Sequence, residues 1–438
     1  MIADALTPPL RRSYSPYTGI VRSLEECLHL PSEPPLFRVA CEVGRGEGLL
    51  GVALDHLAGV GGAGTTRAEA AAAAVGEALE RYSLTYVPSE RLVAAAAEEL
   101  REAVDPARFA LFSPGQHADP LFPFAPFRAD TRVPWVEGWR IRDGAHAWLP
   151  AELVFLGDTA VDGCARVGYA TSSGAACADT VDAALERGLC EVLERDAFMI
   201  VWANRLSLPL LDWSADDALA ELDRSTFAVT GLRYAAVDLS AFHGLPSVLG
   251  VVRAPELATG ALGVGAGTAA GVERAWWKAL SEAFACRAAG VKLVLLRPDK
   301  HFGRHGEGVV SFEDHIQYYS DRRRAAAADF LDASPRRVPV QAVAALEGTT
   351  ARDRVEALCD RVRRAGSEAY AVDATSPDVR ELGLVVTKVV APELCALDVP
   401  QPARFLGGSR LYEAAAELGL RQTPLDARAV NPEPHPFP

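Results

Sequence analysis

"GVGGAGTTRAEAAAAAVGEALERYS" (residues 59–83) decides the fold class of this chain. Its first eight residues, 59–66, predict a tight turn, because glycine adopts turn conformations at little steric cost. A helix is predicted over 67–87, where Ala, Leu and Glu dominate. Thr65 or Thr66 is expected to cap this helix, with an acidic residue in its first turn. The stretch therefore predicts a glycine-rich turn that leads directly into a helix.

The same arrangement occurs twice more along the chain. Small residues at 169–180 ("YATSSGAACADT") precede a predicted helix at 181–206, and "GVGAGTAAG" (263–271) precedes one at 272–293. Strand-like segments such as "FRVACEV", "RYAAVDLS" and "SVLGVVRA" lie between the helices. No run of charge or low-complexity linker marks a domain boundary. We therefore predict an α/β fold in one intertwined domain.

Composition excludes several classes of protein. The 438 residues carry a net charge of −14, with no basic stripe, so a nucleic-acid partner is not expected. There is no signal-peptide pattern and no uncharged apolar run of about 18 residues, which predicts a cytoplasmic protein without a membrane span. The eight cysteines form no CxxC and lie at no metal-ligand spacing from a histidine, so a zinc site is not expected.

Acidic residues recur at fixed spacing on the three predicted helices. Carboxylates at i and i+3 share one helix face and repel each other unless a cation lies between them. In the first helix that face is otherwise apolar, so we expect its acids to point inward, and Mg²⁺ prefers such oxygen ligands, together with phosphates. The set comprises Glu77, Glu80 and Arg81, then Glu191, Glu194 and Arg195, then Lys278 and Glu282. The pattern indicates a site for a nucleoside triphosphate and its metal ions.

Two simpler interpretations stay open at this point. A single ExxER motif also occurs on ordinary solvated helix faces, and Arg187 has the spacing of an i,i+4 salt bridge with Glu191. A glycine turn before a helix can also be only a tight connection. None of the three matches GxxxxGK[ST], which excludes a P-loop ATPase.

Taken together, these motifs resemble the YcaO superfamily, and more narrowly its azoline-forming cyclodehydratases, the D proteins that make thiazole- and oxazole-modified peptides. The resemblance covers nearly the whole chain. Its segments are "SPYTGIV" (15–21), "GEALERYS" (76–83), "TSSGAACADTVDAALERGLCEVLERDAFMIVW" (171–202), "KALSEAF" (278–284), "FEDHIQYY" (312–319) and the terminal "PHPFP" (434–438).

The resemblance implies a fold and a site. It implies a YcaO-type domain at 61–438, with mixed sheets and acidic helices around a central nucleotide site, and with 1–60 integral to the fold. Arg81, Arg195 and Lys278 would hold the phosphates of ATP. The implied Mg²⁺ ligands are Glu77, Glu80, Glu191, Glu194 and Glu282.

Three positions depart from the family pattern. Ala73 stands where the first motif opens with serine, Ala63 where a lysine is frequent, and Ala285 where a glutamine is frequent. Each removes a hydrogen-bonding group near the nucleotide, at about 0.5–3 kcal/mol apiece. ATP is therefore expected to bind, but more weakly or with help from a partner.

The implied reaction is cyclodehydration of Cys, Ser or Thr in a precursor peptide. The side chain attacks the preceding carbonyl, ATP phosphorylates the former carbonyl oxygen, and loss of phosphate leaves a thiazoline or oxazoline ring. Protons must go to a base, for which the candidates are His315 and the carboxylate of Pro438.

The resemblance also implies partners. Because 1–60 is too short for a leader-binding module, a separate E1-like C protein should deliver the precursor peptide. A flavin dehydrogenase and a homodimer are further expectations. The alternatives are a YcaO enzyme of another chemistry, forming thioamides or amidines, and a non-catalytic scaffold subunit.

The tail "PEPHPFP" (432–438) has proline at every second position. Such a run favours extended polyproline II, which loses little entropy on docking. We expect it to enter the active site and place the Pro438 carboxylate near the reacting amide. Deletion of the last five residues should then abolish ring formation and leave the fold and most ATP affinity intact.

Overall fold

The computed structural model describes residues 2–29, 32–44 and 60–437. Within these ranges fourteen strands form three sheets. The strands are β1 (Val21–Glu26), β2 (Phe37–Val43), β3 (Gly61–Gly64), β4 (Val93–Ala95), β5 (Val133–Arg140), β6 (His146–Pro150), β7 (Ala175–Ala178), β8 (Leu210–Asp212), β9 (Arg233–Asp238), β10 (Ser247–Arg253), β11 (Leu262–Thr268), β12 (Arg337–Pro339), β13 (Tyr370–Asp373) and β14 (Val385–Val390).

Eleven α-helices accompany them in the same ranges. They are α1 (Pro8–Ser13), α2 (Arg67–Thr85), α3 (Pro114–His117), α4 (Val181–Asn204), α5 (Asp217–Thr226), α6 (Val272–Leu296), α7 (Phe312–Tyr319), α8 (Arg322–Ala325), α9 (Ala351–Arg364), α10 (Pro377–Glu381) and α11 (Arg410–Glu417). None of these helices combines the length and the apolar character that crossing a bilayer requires.

The first sheet has the order β1-β2-β3, the second β11-β10-β9-β8-β12, and the third β4-β5-β13-β14-β7 with β6 beside β5. All described strand pairs are antiparallel except β8 with β12, which makes the second sheet mixed. The prediction of an α/β fold with mixed sheets is confirmed.

Each of the three long helices packs on a sheet. α2 lies on β2 and β3 and reaches β7, α4 lies on β7 and β14, and α6 lies on β10 and β11. Their apolar faces fill three separate cores, which contain Leu79, Trp202 and Trp276 respectively. Electrostatic interactions between their charged residues connect α2 with α4 and α4 with α6.

The predicted helices begin where the sequence indicated. Thr66 caps α2 and forms a capping box with Glu69, so it is Thr66 rather than Thr65 that ends the turn. Thr180 caps α4 in the same way, by accepting a hydrogen bond from the backbone N–H of Ala183. Because an N-cap satisfies backbone donors that the helix cannot, threonine before an apolar run is a strong local signal.

The three glycine-rich turns were predicted wrongly, because each contains a strand: β3, β7 or β11. A Cβ atom on Gly62 of β3 would lie 2.4 Å from the backbone nitrogen of Ala74 in α2. On β11, a Cβ atom at Gly267 would lie 2.2 Å from the carbonyl oxygen of Ala275 in α6. In β3 and β11 glycine is therefore needed for close approach of a helix to a strand, which a local turn rule does not distinguish.

Candidate active site

Two acids of α2, Glu77 and Glu80, belong to the candidate site. Glu77 accepts hydrogen bonds from Arg81 Nη2 at 2.7 Å and from the backbone N–H of Gly61 at 3.4 Å. Burial raises the pKa of Glu77, and Arg81 opposes that rise. Burial, with Glu191 and Glu77 adding to it, raises the pKa of Glu80 well above its ordinary value. For both carboxylates the effect of burial outweighs that of the positive charge of Arg81.

The motif on α4 contributes the most deeply buried carboxylate of the predicted set. Glu194 is only 1% exposed. Arg195 donates from Nη1 to Glu194 Oε1 at 2.7 Å and from Nη2 to Glu191 Oε1 at 3.2 Å. The second oxygen, Glu194 Oε2, has no hydrogen-bond partner among the described residues, and Lys278 Nζ lies 3.8 Å from it. A buried carboxylate oxygen in this condition is costly unless a ligand uses it.

α6 completes the set with Lys278 and Glu282. The backbone N–H of Ala266 in β11 donates to Glu282 Oε2 at 2.7 Å. Burial raises the pKa of Glu282 to about 7, against the opposing charge of Arg195. The pKa of Lys278 is raised mainly by Glu194. Strand β11 thus supplies the backbone amide that holds the acid Glu282 of α6.

Electrostatic interactions connect all eight predicted residues. Glu191 of α4 influences Glu77 and Glu80 of α2, whereas Arg195 and Glu194 of α4 influence Glu282 of α6. The charged residues of α4 therefore interact with those of both α2 and α6. Because Glu194 is buried, the interpretation of this motif as an ordinary solvated helix face does not hold for Glu194.

The competing salt bridge between Arg187 and Glu191 does not form. Arg187 instead donates to the carbonyl oxygen of Cys177 at 2.9 Å, and Glu191 pairs with Arg195. α4 packs on β7, which brings Arg187 to the Cys177 carbonyl of that strand. Helical spacing alone is a weak guide to pairing when a sheet offers acceptors.

The residues present fit Mg²⁺ held jointly with phosphates. In the described part of the chain no three Asp, Glu, His or Cys side chains already converge as an ion site. Mg²⁺ normally takes one or two carboxylates and completes its shell with water and substrate phosphates, so a preformed cage is not required. The Glu194 oxygen that lacks a hydrogen bond and the raised pKa values of Glu77, Glu80 and Glu282 match that donor set. The individual ligand roles stay predictions.

The three alanines that depart from the family pattern lie on elements that line the site. Ala63 is in β3, in register with Arg38 of β2. Ala73 is exposed on α2 above Gly62, and Ala285 is half-buried on α6. Small side chains at Ala63 and Ala73 accompany the close packing of α2 on β3, and their effect on ATP binding stays a prediction.

His315 lies in α7 and is completely buried. Its Nδ1 is 2.6 Å from the carbonyl oxygen of His435, and its Nε2 is 2.7 Å from that of Val399. The rings of His315 and His435 also stack, with centroids 4.1 Å apart. Because both ring nitrogens face backbone acceptors, these contacts make His315 an anchor of the tail and provide no support for its role as a base.

The proline-alternating tail is bound by the protein along its length. Tyr318 donates from its hydroxyl to Glu433 at 2.6 Å, and His305 Nδ1 lies 2.6 Å from the same carboxylate. Tyr319 donates to the carbonyl oxygen of Pro434 at 2.5 Å. Further along, His435 is buried, and its Nε2 lies 2.6 Å from the carbonyl oxygen of Asp398. The tail is therefore bound to the rest of the protein and is not free in solvent.

The tail reaches the acidic site through Phe437. This side chain is completely buried, and the Arg195 guanidinium carbon lies 4.1 Å from its ring centroid. The Phe198 ring of α4 lies against it as well, at 4.9 Å between centroids. Pro438, the predicted carrier of the catalytic carboxylate, lies outside the described residues.

Several residues of this region were missed by sequence reasoning. Lys388 is the one charged residue of the apolar strand β14, a signal that was present but not used. Asp196 is fully buried next to Arg195 and receives a bidentate hydrogen bond from Arg410. Because Asp196 and Arg410 are far apart in the sequence, local patterns do not predict that pair.

Comparison with known proteins agrees with this geometry. Residues 61–395 match the family model of the YcaO cyclodehydratases, which is described as binding ATP and Mg²⁺. An uncharacterized protein of Methanothermobacter thermautotrophicus is 26% identical over 341 residues, which cover 76% of this chain and 80% of that protein.

Two solved structures show the same fold. A heterocyclase in complex with substrate and cofactor superposes with a TM-score of 0.80 at 24% identity, over 98% of this chain and 57% of that one. The chain thus spans little more than half the length of that heterocyclase. YcaO from Methanopyrus kandleri, bound with AMPPCP and Mg²⁺, gives a TM-score of 0.61 at 20% identity, over 86% of this chain and 87% of the other. The predicted family is confirmed, and the chain belongs to the YcaO cyclodehydratase family.

Proposed function

We propose that this protein is the ATP- and Mg²⁺-dependent cyclodehydratase subunit that converts Cys, Ser or Thr of a precursor peptide into thiazoline or oxazoline. The observation that carries the proposal is the buried contact of Phe437 with Arg195. It joins the proline-alternating tail to the acids of the nucleotide site. Thioamide or amidine formation by a YcaO enzyme would not explain such a tail.

The cationic residues have a clear task in this reaction. Arg81, Arg195 and Lys278 are already directed at the acids, at 2.7–3.8 Å, so they can exchange a carboxylate partner for a phosphate oxygen without large movement. Charge-assisted bonds from arginine suit phosphates because the guanidinium presents paired donors. These side chains would orient the triphosphate.

Mg²⁺, held by acids of α2, α4 and α6, would supply positive charge at the phosphoryl group that is transferred. Without Mg²⁺, Glu282 is partly protonated near neutral pH, because its pKa is about 7. The buried setting of Glu194 and Arg195 excludes bulk water from that wall of the site. Electrostatic interactions there are stronger than they would be in water.

A precursor peptide and a separate leader-binding protein complete the proposal, and a homodimer and a flavin dehydrogenase remain expectations. The direct experiment incubates the protein, its delivery partner and a candidate precursor peptide with Mg²⁺ and ATP. Mass spectrometry should show the loss of one water per ring formed. Glu191→Gln should strongly reduce ring formation. Glu313→Gln changes a glutamate outside the predicted set and serves as the matched control.

Two outcomes would contradict the proposal. Undetectable binding of nucleotide by calorimetry, with the partner present, would favour a non-catalytic scaffold. A product that has gained sulfur or nitrogen in place of an amide oxygen would instead identify thioamide or amidine chemistry. Unchanged ring formation by Glu191→Gln would refute the metal assignment alone.

A further inference from the structure

The alternating prolines of the tail leave its register ambiguous, that is, the alignment of its residues with the groups that hold them. Proline occupies every even position of 432–438, so a shift by two residues places prolines where other prolines were. The extended backbone of such a run is the same in either register. Only the residues between the prolines can distinguish the registers, and these are Glu433, His435 and Phe437.

Glu433 is held by both its side chain and its backbone. Its Oε2 accepts a hydrogen bond from the Tyr318 hydroxyl at 2.6 Å, and its Oε1 lies 2.6 Å from His305 Nδ1. Its carbonyl oxygen accepts from Trp202 Nε1 at 3.0 Å, and its backbone N–H donates to Asn431 Oδ1 at 3.3 Å. Because the side chain is only 17% exposed, the loss of these partners would be costly.

The loop that contributes His305 is shaped around the tail. His305 has a left-handed φ of +53°, and Gly306 follows at +78°. A Cβ atom on Gly306 would lie 2.7 Å from Cδ of Pro434. The Gln401 side-chain amide donates to the carbonyl oxygens of His305, at 3.0 Å, and of Pro432, at 2.7 Å. A left-handed residue other than glycine persists only where its surroundings impose that conformation, and here the tail is part of those surroundings.

A shifted tail would lose the contacts of Glu433. In one direction Glu433 would take the place of His435, which is buried and whose Nε2 lies 2.6 Å from the carbonyl oxygen of Asp398. A carboxylate has no hydrogen to donate to that carbonyl oxygen, and burying it there would be costly. In the other direction Phe437 would be withdrawn from Arg195. Either shift leaves Glu433 without the groups that bind it.

We propose that Glu433 is a positioning residue that fixes the register of the tail, with Tyr318 and His305 as its partners, and so places Phe437 against Arg195. A polyproline II segment rises about 3.1 Å per residue, so a shift by two residues moves Phe437 by about 6 Å. That displacement is enough to break its contact with the Arg195 guanidinium, now 4.1 Å from the ring centroid. The consequence for ATP rests on the proposed function, since Arg195 is there taken to hold phosphates.

The test follows the indole N–H resonance of Trp202 by NMR, because this group donates to the Glu433 carbonyl oxygen. Loss of one of the seven indole signals in Trp202→Phe assigns it. In Glu433→Ala the resonance should shift or split. The KM for ATP should rise by about two- to thirtyfold, the range for loss of the cation–π contact. Glu433→Gln keeps an oxygen for Tyr318 and offers an N–H to His305, so it should behave as wild type. Glu313→Ala changes an exposed glutamate of α7 and is the control.

A merely structural glutamate would lower the Tm and leave both readouts of the folded protein unchanged. An unchanged Trp202 resonance in folded Glu433→Ala, or a shifted resonance with an unchanged KM, would therefore overturn the inference. If that variant does not fold, Tyr318→Phe removes one of the two partners and should shift the same resonance, and an unshifted signal would overturn the inference. Failure of wild-type protein to bind ATP with Mg²⁺ would instead overturn the proposed function, and the Trp202 resonance would then decide the register alone.

Discussion

The guanidinium carbon of Arg195 lies 4.1 Å from the ring centroid of Phe437, although 242 positions separate the two residues in the sequence. Arg195 at the same time bonds Glu191 and Glu194. One arginine therefore contacts both the predicted metal ligands and the end of the tail. Docking of the tail and the arrangement of the nucleotide site are thereby linked through a single side chain.

Phe437→Leu should weaken the binding of ATP. The substitution keeps an apolar side chain and removes the cation–π contact, a loss of about 0.5–2 kcal/mol, or roughly two- to thirtyfold in KM for ATP. Phe437→Tyr keeps the ring and is the control. Steady-state kinetics with varied ATP measures the effect, and an unchanged KM would show that the ring does not orient Arg195.

This contact also changes what is expected of the truncation. Phe437 is fully buried, so deletion of the last five residues removes core packing, at a cost of about 3–5 kcal/mol for an aromatic side chain. We therefore expect lower stability as well as lost ring formation, instead of an intact fold. Thermal unfolding of the truncated protein, compared with Phe437→Leu, separates the two effects.

The stability of the metal-free protein should fall as the pH rises from about 5 to about 7. Burial raises the pKa of Glu282 to about 7, and those of Glu77 and Glu80 shift in the same direction. The folded state then binds more protons than the unfolded state in this window, so increasing pH favours unfolding. Glu282→Gln should flatten this part of a plot of Tm against pH. An identical slope in wild type and variant would contradict the prediction.

Arg410→Ala should destabilise the fold strongly. It leaves the buried carboxylate of Asp196 without its bidentate partner, which typically costs about 3–5 kcal/mol in a buried pair. Arg410→Ala combined with Asp196→Asn should cost less than the two separate changes added together. Chemical denaturation measures both, and additive effects would show that the pair is not coupled.

Two glycine substitutions should have opposite effects on stability. Gly267→Ala forces a Cβ atom to within 2.2 Å of the Ala275 carbonyl oxygen and should cost about 1–3 kcal/mol. Gly76→Ala, in the interior of α2 with no atom within 4 Å of the new Cβ, should stabilise by about 0.5–1 kcal/mol. Thermal unfolding measures both, and a destabilising Gly76→Ala would contradict the packing described for α2.

Local patterns predicted much of the fold. The helix predicted over 67–87 is Arg67–Thr85, and that over 272–293 is Val272–Leu296. The helix predicted over 181–206 is Val181–Asn204. Helices and hairpins are specified by residues near one another, through caps, periodicity and turn chemistry, so short windows contain their signals.

Local patterns failed where distant backbone is in contact. The glycines of β3 and β11 predict turns, whereas in the structure they allow α2 and α6 to approach the strands closely. The same limit applies to Lys388, whose partners lie more than 200 positions away in the 171–174 loop. A rule that considers only neighbouring residues has no access to such contacts.

By itself, the amino-acid sequence determined the acidic helices, their caps and the family, because each of these rests on residues a few positions apart. Only the tertiary structure decided how the charges are compensated: Arg195 lies over Phe437, and Arg410 pairs with Asp196. The physical reason is that a charge in a buried site responds to every group around it in space, whatever their separation along the chain.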